Sequence, residues 1–141
     1  MAFENPSREK IKEILASAGA IAVVGLSDKP DRVSYMVSQA MQHRGYRIIP
    51  VNPNAESILG EKSYASLSDI PEKVDIVNVF RRADQVVPVA EEAVKIGAKV
   101  FWLQQGIVNE DAAEIAQSAG IEVIMDRCIK VEDAILNPRN N

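Results

Sequence analysis

The sequence is poor in the residues that carry the commonest catalytic and cross-linking chemistry. Its 141 residues include one cysteine, one histidine and one tryptophan, and aromatic residues make up only 5%. A single cysteine excludes an internal disulfide, so a reducing, cytoplasmic setting is expected. Positive charge is not in excess either. The 16 Lys and Arg against 20 Asp and Glu give a net charge of -4, which argues against a nucleic-acid-binding surface.

Long apolar segments are missing as well. No apolar run approaches the roughly 20 residues that a membrane-spanning helix requires, and the opening residues MAFENPSREK lack the apolar core of a signal peptide. With 47% apolar and 26% charged residues, the composition is typical of a globular protein with one domain. We therefore expect a chain that binds neither nucleic acid nor membrane.

Recognisable catalytic motifs are also absent from the sequence. It contains no metal-ligand cluster, nucleophile elbow or Walker loop. His43 is expected at the C-terminal end of a surface helix. The carboxylates near the predicted site are expected to be helix caps or loop residues, namely Asp28, Glu110, Asp111 and Asp126. Nothing in these residues indicates an enzyme.

What the sequence does contain is one supersecondary pattern repeated along the chain. A helical pattern stops at a glycine and a short apolar run begins almost at once, in ASAGAIAVVG, QHRGYRIIPV, VKIGAKVFWLQ and QSAGIEVIM. Gly19, Gly45, Gly97 and Gly120 are therefore predicted to end helices in the left-handed conformation. A fifth apolar run, VDIVNVF, follows the turn-like SDIPEK. These runs predict strands that begin near residues 21, 46, 74, 99 and 121.

The segments between the apolar runs have the spacing of amphipathic helices. Helices are predicted over residues 7–18 and 33–44, with Ser7, Asp84 and Asn109 as N-caps of the first helix and of two later ones. Alternating strands and helices predict an α/β fold, a Rossmann-like doubly wound parallel sheet of about five strands in three layers. We expect the order 3-2-1-4-5 and a single domain over residues 1–141, with a helix within 1–19 and a short tail at 133–141.

In such a sheet, ligands bind at the carboxyl ends of the strands, near the switch point. Five segments should meet there: GLSDKPDRVSY, PVNPN, FRRAD, QQGIVNED and MDRC. The first supplies Gly25, where a backbone can approach a ligand, and the Ser27 hydroxyl. Lys29 and Arg32 add positive charge just before a helix start, where a pyrophosphate would bind. The alternative is an ordinary surface turn around Pro30.

The segment after the second strand argues against a dinucleotide with a free ribose. Sites for NAD place an acidic residue at this point, about 20 residues beyond the glycine-rich loop. This chain has Val51, Asn52 and Pro53 there. A phosphorylated ribose fits that position, although Asn-Pro is also a common turn.

An aromatic residue and two arginines follow the third strand. Phe80 offers a surface for a base, and Arg81 or Arg82 can hold a phosphate with paired hydrogen bonds. Adjacent arginines at a strand end are also common as solvated residues. The residues alone leave open whether the ligand is CoA or NADP(H), because both carry a phosphate on the ribose.

Most of the chain resembles a known family. The strings IAVVGLSDKP, PVNPN, GEKSYASL, VDIVNVFRR, FWLQQGIVNEDAAEIAQSAG and IMDRC, in this order and spacing, are similar to the small bacterial and archaeal CoA-binding proteins. These are single-domain relatives of the CoA-binding domain in the α subunit of succinyl-CoA synthetase. The resemblance spans residues 15–132 and implies a CoA site at the carboxyl edge of the sheet.

The resemblance also implies which residues contact each part of CoA. The pyrophosphate is implied to lie against Gly25, Ser27, Lys29, Pro30, Ser34 and Tyr35. The ribose and its 3′-phosphate are implied to lie beside Val51, Asn52, Pro53 and Asn54. Phe80 and Arg81 would border the adenine or pantetheine path, and Gln104, Gln105 and Gly106 would form the far wall. The larger synthetases often have a lysine where this chain has Asn54, so the partner of the 3′-phosphate stays open among Lys29, Arg32 and Arg82.

We expect a protein that binds CoA, free or acylated, as a carrier or regulatory protein without catalysis of its own. One alternative is an NADP(H)-binding oxidoreductase or redox sensor. Another is the CoA-binding subunit of a multi-chain acyl-CoA ligase, and a homodimer or an unidentified protein partner also remains open. Cys128 follows the fifth strand beside Arg127, and CoA itself ends in a thiol. We hypothesise that Cys128 forms a mixed disulfide with CoA; otherwise it is a half-buried apolar residue.

Overall fold

Five parallel strands form the centre of the structure, a computed structural model that describes residues 3–139. Helix α1 (Arg8–Ser17) leads into β1 (Ala20–Val24), which is followed by α2 (Val33–His43) and β2 (Arg47–Val51). A hairpin of β3 (Ser57–Ile58) and β4 (Glu61–Lys62) and a 3₁₀ turn (Leu67–Asp69) connect β2 to β5 (Ile76–Val79). A second 3₁₀ turn (Ala83–Gln85), α3 (Val87–Lys95), β6 (Val100–Leu103), α4 (Glu110–Ser118), β7 (Glu122–Ile124) and α5 (Ile129–Leu136) complete the chain.

Both faces of the sheet are covered, which explains why its strands are almost continuously apolar. One face packs against α1, α2 and α5 through a cluster that includes Leu15, Met41 and Trp102. The other packs against α3 and α4 through a cluster that includes Ala90 and Phe101. Phe101 and Trp102 are both 0% exposed and alternate between the faces along β6. The predicted α/β class, with a parallel sheet between two helical layers, is confirmed.

The predicted strand order 3-2-1-4-5 is wrong. The observed order β2-β1-β5-β6-β7 places the third long strand beside β1, so the parallel strands run 2-1-3-4-5. Tyr64 occupies the outer edge of β2, where its N–H donates to the Pro50 carbonyl (3.0 Å) and its carbonyl accepts from the Asn52 N–H (2.9 Å). Between β2 and β5 the chain forms a hairpin and a 3₁₀ turn in place of a crossover helix, and it returns to pair with the open edge of β1.

Asp75 holds the amino ends of β1 and β5 together. Its carboxylate accepts from the N–H groups of Gly19 (2.8 Å) and Ala20 (2.9 Å), and the Lys99 Nζ lies 3.6 Å away. Burial disfavours the charged form, but these hydrogen bonds and Lys99 outweigh it, so the pKa of Asp75 lies below its ordinary value. The prediction that Gly19 ends α1 in the left-handed conformation is wrong, because α1 ends in extended backbone at Ala18. At Gly45, Gly97 and Gly120 the left-handed conformation is confirmed.

Most element boundaries agree with the sequence pattern, and each parallel strand begins within two residues of its predicted start. Ser7 caps α1 by accepting from the Lys10 N–H (3.1 Å), and Asn109 caps α4 by accepting from the Ala112 N–H (3.0 Å), as predicted. Asp84 does not cap a helix. It lies in the second 3₁₀ turn, and α3 begins later, where a proline occupies its first turn.

The last helix differs from the sequence prediction, and the end of α2 agrees with it. Helix α5 was not predicted, and it includes residues 133–136, which the pattern assigned to a tail. His43 is the exposed last residue of α2, as expected. Between residues 3 and 139, no helix combines the length and the apolar character that crossing a bilayer demands.

Candidate functional site

The loop after β1 starts with a glycine that is held between two neighbouring strands. Gly25 has a φ of 84°, and its N–H donates to the Val51 carbonyl (3.1 Å). A Cβ at this position would lie 2.2 Å from the carbonyl oxygen of Phe80. Because that oxygen belongs to the backbone beyond β5, the fold itself requires glycine here. The loop therefore lies at the crevice between β1 and β5, the switch point of this strand order.

The rest of this segment is ordered by its own hydrogen bonds, and we call it the phosphate loop (residues 25–32) after the role that the sequence predicts for it. The Ser27 N–H donates to the Ser34 Oγ (3.0 Å), and the Lys29 N–H donates to the Ser27 Oγ (3.1 Å). The Arg32 N–H donates to the Lys29 carbonyl (3.0 Å). Both hydroxyls act here as acceptors, so each keeps a proton that it can donate to a ligand.

Helix α2 begins at the end of the phosphate loop with its first amides uncapped. Within the described residues no side chain caps this helix start, and its first turn carries no acidic residue. By contrast, α1 and α4 each have a capping side chain and an acidic residue in the first turn. The start of α2 therefore keeps N–H groups and the positive end of the helix dipole for an anion. Lys29, Pro30 and Arg32 are exposed beside it, whereas Tyr35 is half-buried.

The segment after β2 is attached to the phosphate loop through one side chain. The Asn52 Nδ2 donates to the Leu26 carbonyl (2.9 Å), and the Asn52 Oδ1 accepts from the Asn54 N–H (2.8 Å). Pro53 and Asn54 are exposed. The Val51 side chain is buried in the core, so this residue contributes its backbone to the site edge.

The two arginines after β5 differ in position. The Arg81 Nε lies 3.6 Å from where a Gly25 Cβ would stand, so this side chain lies against the phosphate loop. The Arg82 Nε lies 3.5 Å from the Asp84 carboxylate in an exposed ion pair. Phe80 is half-buried and packs against the cluster on the α2 side of the sheet. The structure therefore brings the Arg81 side chain to the phosphate loop, whereas the Arg82 side chain pairs with Asp84.

Of the three residues predicted to form the far wall, one has a buried side chain with a structural role. Gln104 is 4% exposed, and its Oε1 accepts from the Ile129 N–H (2.9 Å) at the start of α5. Gln105 and Gly106 are exposed. The Gly106 N–H donates to the Asp126 Oδ1 (2.7 Å), so this carboxylate fastens the loop after β6 to the loop after β7.

Cys128 lies close to this wall. It is half-buried at the N-cap position of α5 and lines a groove of about 330 Å³ together with Gln105, Arg127 and Val131. The indole N–H of Trp102 donates to the Arg127 carbonyl (2.8 Å), which fixes the backbone before the cysteine. The thiol and the exposed far wall therefore share one groove.

Sequence reasoning missed Leu26, and it placed Asp126 near the site without the contact that this carboxylate makes to the Gly106 N–H. Leu26 is 0% exposed although its neighbours in the loop are polar, and its carbonyl receives the Asn52 amide. A single apolar residue between Gly25 and Ser27 was the only available signal. Asp126 has a left-handed backbone with a φ of 58°, which no local pattern marks. Among residues 3–139 there is no group of three side chains able to hold a metal ion.

The chain is similar to proteins of known sequence and structure. It is 56% identical over 133 residues to the uncharacterized protein YneT of Bacillus subtilis (strain 168), which covers 94% of this chain and 98% of that protein. A hypothetical protein from Pyrococcus horikoshii OT3, of solved structure, matches with a TM-score of 0.91 at 37% identity, over 97% of this chain and 99% of that one.

A ligase subunit contains a segment of the same kind. The α subunit of the ADP-forming acetate–CoA ligase II of Pyrococcus furiosus is 28% identical over 129 residues, which are 83% of this chain but only 28% of that subunit. A family model described as "CoA binding domain" matches residues 19–134, which include every strand of the parallel sheet. The chain therefore belongs to the CoA binding domain family.

Proposed function

We propose that this protein binds coenzyme A, free or acylated, in the crevice between β1 and β5, and serves as a carrier or regulatory protein without catalysis of its own. The observation that carries the proposal is the uncapped start of α2 beside the ordered phosphate loop and Arg81. Membership of the CoA binding domain family supports CoA as the ligand.

Basic residues around the crevice suit the phosphates of CoA, and the loop also carries the exposed carboxylates of Asp28 and Asp31. In the proposed complex the pyrophosphate accepts from the first amides of α2 and from the Ser27 and Ser34 hydroxyls. Arg81 holds the same group with charge-assisted hydrogen bonds. Lys29 and Arg32 are exposed on the loop side and are the proposed partners of the 3′-phosphate. Arg82 is a weaker candidate because it pairs with Asp84.

Calorimetry with CoA, dephospho-CoA and NADPH tests this proposal. CoA should bind more tightly than dephospho-CoA by more than about 1.5 kcal/mol, roughly tenfold in Kd, because a charge-assisted contact to the 3′-phosphate is lost. Micromolar binding of NADPH without any heat from CoA would overturn the proposal in favour of an NADP(H) protein.

A second assay addresses catalysis. The matched segment is 28% of the ligase α subunit in length, and we propose that the remainder of such enzymes supplies the chemistry. Incubation of this protein with acetate, ATP and CoA should therefore yield no ADP. ADP formation that depends on acetate and on CoA would contradict the non-catalytic role.

We also propose that Cys128 exchanges with a CoA disulfide. The Cys128 thiolate attacks one sulfur of oxidised CoA, the S–S bond of that disulfide breaks, and one CoA leaves as its thiolate. The shared groove of Cys128 and Gln105 supports this step, because Gln105 belongs to the far wall that the family resemblance implies for the CoA site.

A further inference from the structure

Asn52 uses all of its polar groups to join two loops. Its backbone N–H donates to the Tyr64 carbonyl (2.9 Å), and its carbonyl accepts from the Ser63 hydroxyl (3.0 Å). Its side chain donates from Nδ2 to the Leu26 carbonyl and accepts at Oδ1 from the Asn54 N–H. A half-buried residue with this many partners has a fixed orientation.

The Leu26 bond continues into the phosphate loop. Leu26 is 0% exposed, and the next residue, Ser27, donates its N–H to the Ser34 hydroxyl on α2. One connected path therefore runs from Asn54 through Asn52 and Leu26 to the start of α2. The path links the two segments that surround the phosphates in the proposed site.

We propose that Asn52 is a positioning residue: its amide fixes the phosphate loop against the segment after β2, and this use excludes the acidic residue that would bind a free ribose diol. The inference rests on the proposed function, since it concerns how the same site selects a nucleotide with a phosphorylated ribose. An acid at the end of the second strand is the usual partner of the ribose hydroxyls in dinucleotide sites.

The Asn52 amide satisfies both side-chain contacts at once. The Leu26 carbonyl needs a donor and the Asn54 N–H needs an acceptor, and Asn supplies one of each. An ionised Asp offers acceptors alone. In Asn52→Asp a carboxylate oxygen would face the Leu26 carbonyl oxygen in place of the amide donor. The two oxygens repel each other, and the phosphate loop loses its attachment to the segment after β2. The absence of an acidic residue at position 52 is therefore a structural requirement of this site.

Two variants separate the lost hydrogen bond from the added charge. Asn52→Asp removes the donor to Leu26, whereas Ser57→Asp adds the same charge five residues away on an exposed side chain outside the proposed site. Hydrogen exchange of the ligand-free protein reports on the phosphate loop, and calorimetry reports the Kd for CoA and for dephospho-CoA.

We expect Asn52→Asp to speed exchange at the Ser27 and Lys29 amides by about tenfold or more, on the scale of one lost hydrogen bond. It should weaken CoA and dephospho-CoA by similar factors of about ten, whereas Ser57→Asp should change exchange and dephospho-CoA binding less than about threefold. Asn52→Ser, which keeps a hydroxyl donor, should give an intermediate result. Protection of the β1 and β5 amides shows in each case that the variant is folded.

Several outcomes would overturn the inference. Unchanged loop exchange in Asn52→Asp would show that the amide does not hold the loop. Equal losses of CoA affinity in both Asp variants, with dephospho-CoA unaffected, would assign the effect to repulsion of the 3′-phosphate. If the wild-type protein binds no CoA while loop exchange still rises in Asn52→Asp, the proposed ligand fails and the loop attachment stands.

Discussion

Gly25 and Phe80 meet through their backbones so closely that a Cβ on the glycine would stand 2.2 Å from the Phe80 carbonyl oxygen. The contact connects the loop that is proposed to bind phosphate to the end of the central strand. A side chain at residue 25 would therefore push the loop away from the sheet.

Gly25→Ala should destabilise the protein more than a left-handed backbone alone explains. Gly97 has a similar φ of 73° with nothing within 4 Å of its Cβ position, so Gly97→Ala measures the conformational cost by itself. We expect about 1–2 kcal/mol for Gly97→Ala and about 3 kcal/mol or more for Gly25→Ala, read from urea unfolding. Equal losses would show that the backbone near Phe80 yields easily.

Arg81 and Arg82 should contribute unequally to CoA binding. Arg81→Gln removes the guanidinium beside the phosphate loop, and the loss of a charge-assisted bond should weaken CoA by about 10- to 100-fold. Arg82→Gln removes only an exposed ion pair with Asp84 and should change Kd less than about threefold. Calorimetry on both variants checks the ranking. A larger loss of CoA affinity in Arg82→Gln than in Arg81→Gln would show that the phosphates contact Arg82 and not Arg81.

Local patterns identified the elements, whereas the strand order depended on contacts that lie far apart in sequence. Four of the five strand starts follow from apolar runs that begin just after a glycine, so they could be read directly. Tyr64 pairs with the outer edge of β2 and β5 pairs with β1, and no pattern near β5 records either contact. Helix α5 has only eight residues, and two buried carboxylates, Glu132 and Asp133, interrupt its apolar face.

The candidate site shows the same division. Its segments could be predicted because parallel strands bring their carboxyl ends to one edge. The use of each side chain could not, because it depends on partners in other loops. Asn52 and Gln104 both have the polarity of ligand contacts, yet their amides bind Leu26 and Ile129. Arg81 and Arg82 are adjacent in sequence, yet Arg81 lies against Gly25 and Arg82 pairs with Asp84.

Asp75→Asn should lower the free energy of unfolding at neutral pH. It should also make that free energy fall less steeply as the pH is lowered. The folded-state pKa of Asp75 lies below the ordinary value of 3.8. Between the folded-state pKa and the ordinary pKa, the unfolded chain therefore binds more protons than the folded one, and stability rises with pH. The contribution is fully present above the ordinary pKa and is lost as the pH falls through the folded-state pKa.

We expect Asp75→Asn to cost about 1–3 kcal/mol at pH 7, with a difference that shrinks below about pH 4. Asp84→Asn, at a side chain that is 72% exposed, is the control and should cost less than about 0.5 kcal/mol. Urea unfolding at several pH values provides the measurement. A loss for Asp75→Asn that does not vary with pH would exclude an ionised carboxylate as its source.

Cys128 should form a mixed disulfide when the protein is incubated with oxidised CoA. Intact mass under non-reducing conditions should show one CoA added to the wild-type protein, and reduction should remove it. Cys128→Ser should show no adduct while still binding reduced CoA. The absence of an adduct on the wild type, or an adduct retained by Cys128→Ser, would reject the exchange.

Gln104 and Gln105 should separate stability from binding, although they are neighbours of the same residue type. Gln104→Ala leaves the buried Ile129 N–H without its acceptor and should cost about 1–3 kcal/mol of unfolding free energy. Gln105→Ala alters an exposed side chain and should change stability by less than about 0.5 kcal/mol. Because Gln105 lines the groove with Cys128, its variant should instead slow formation of the CoA adduct at that thiol. Unfolding curves and adduct kinetics on both variants decide the matter. A destabilised Gln105→Ala, or a Gln104→Ala as stable as the wild type, would contradict the assignment of Gln104 to stability and Gln105 to the groove.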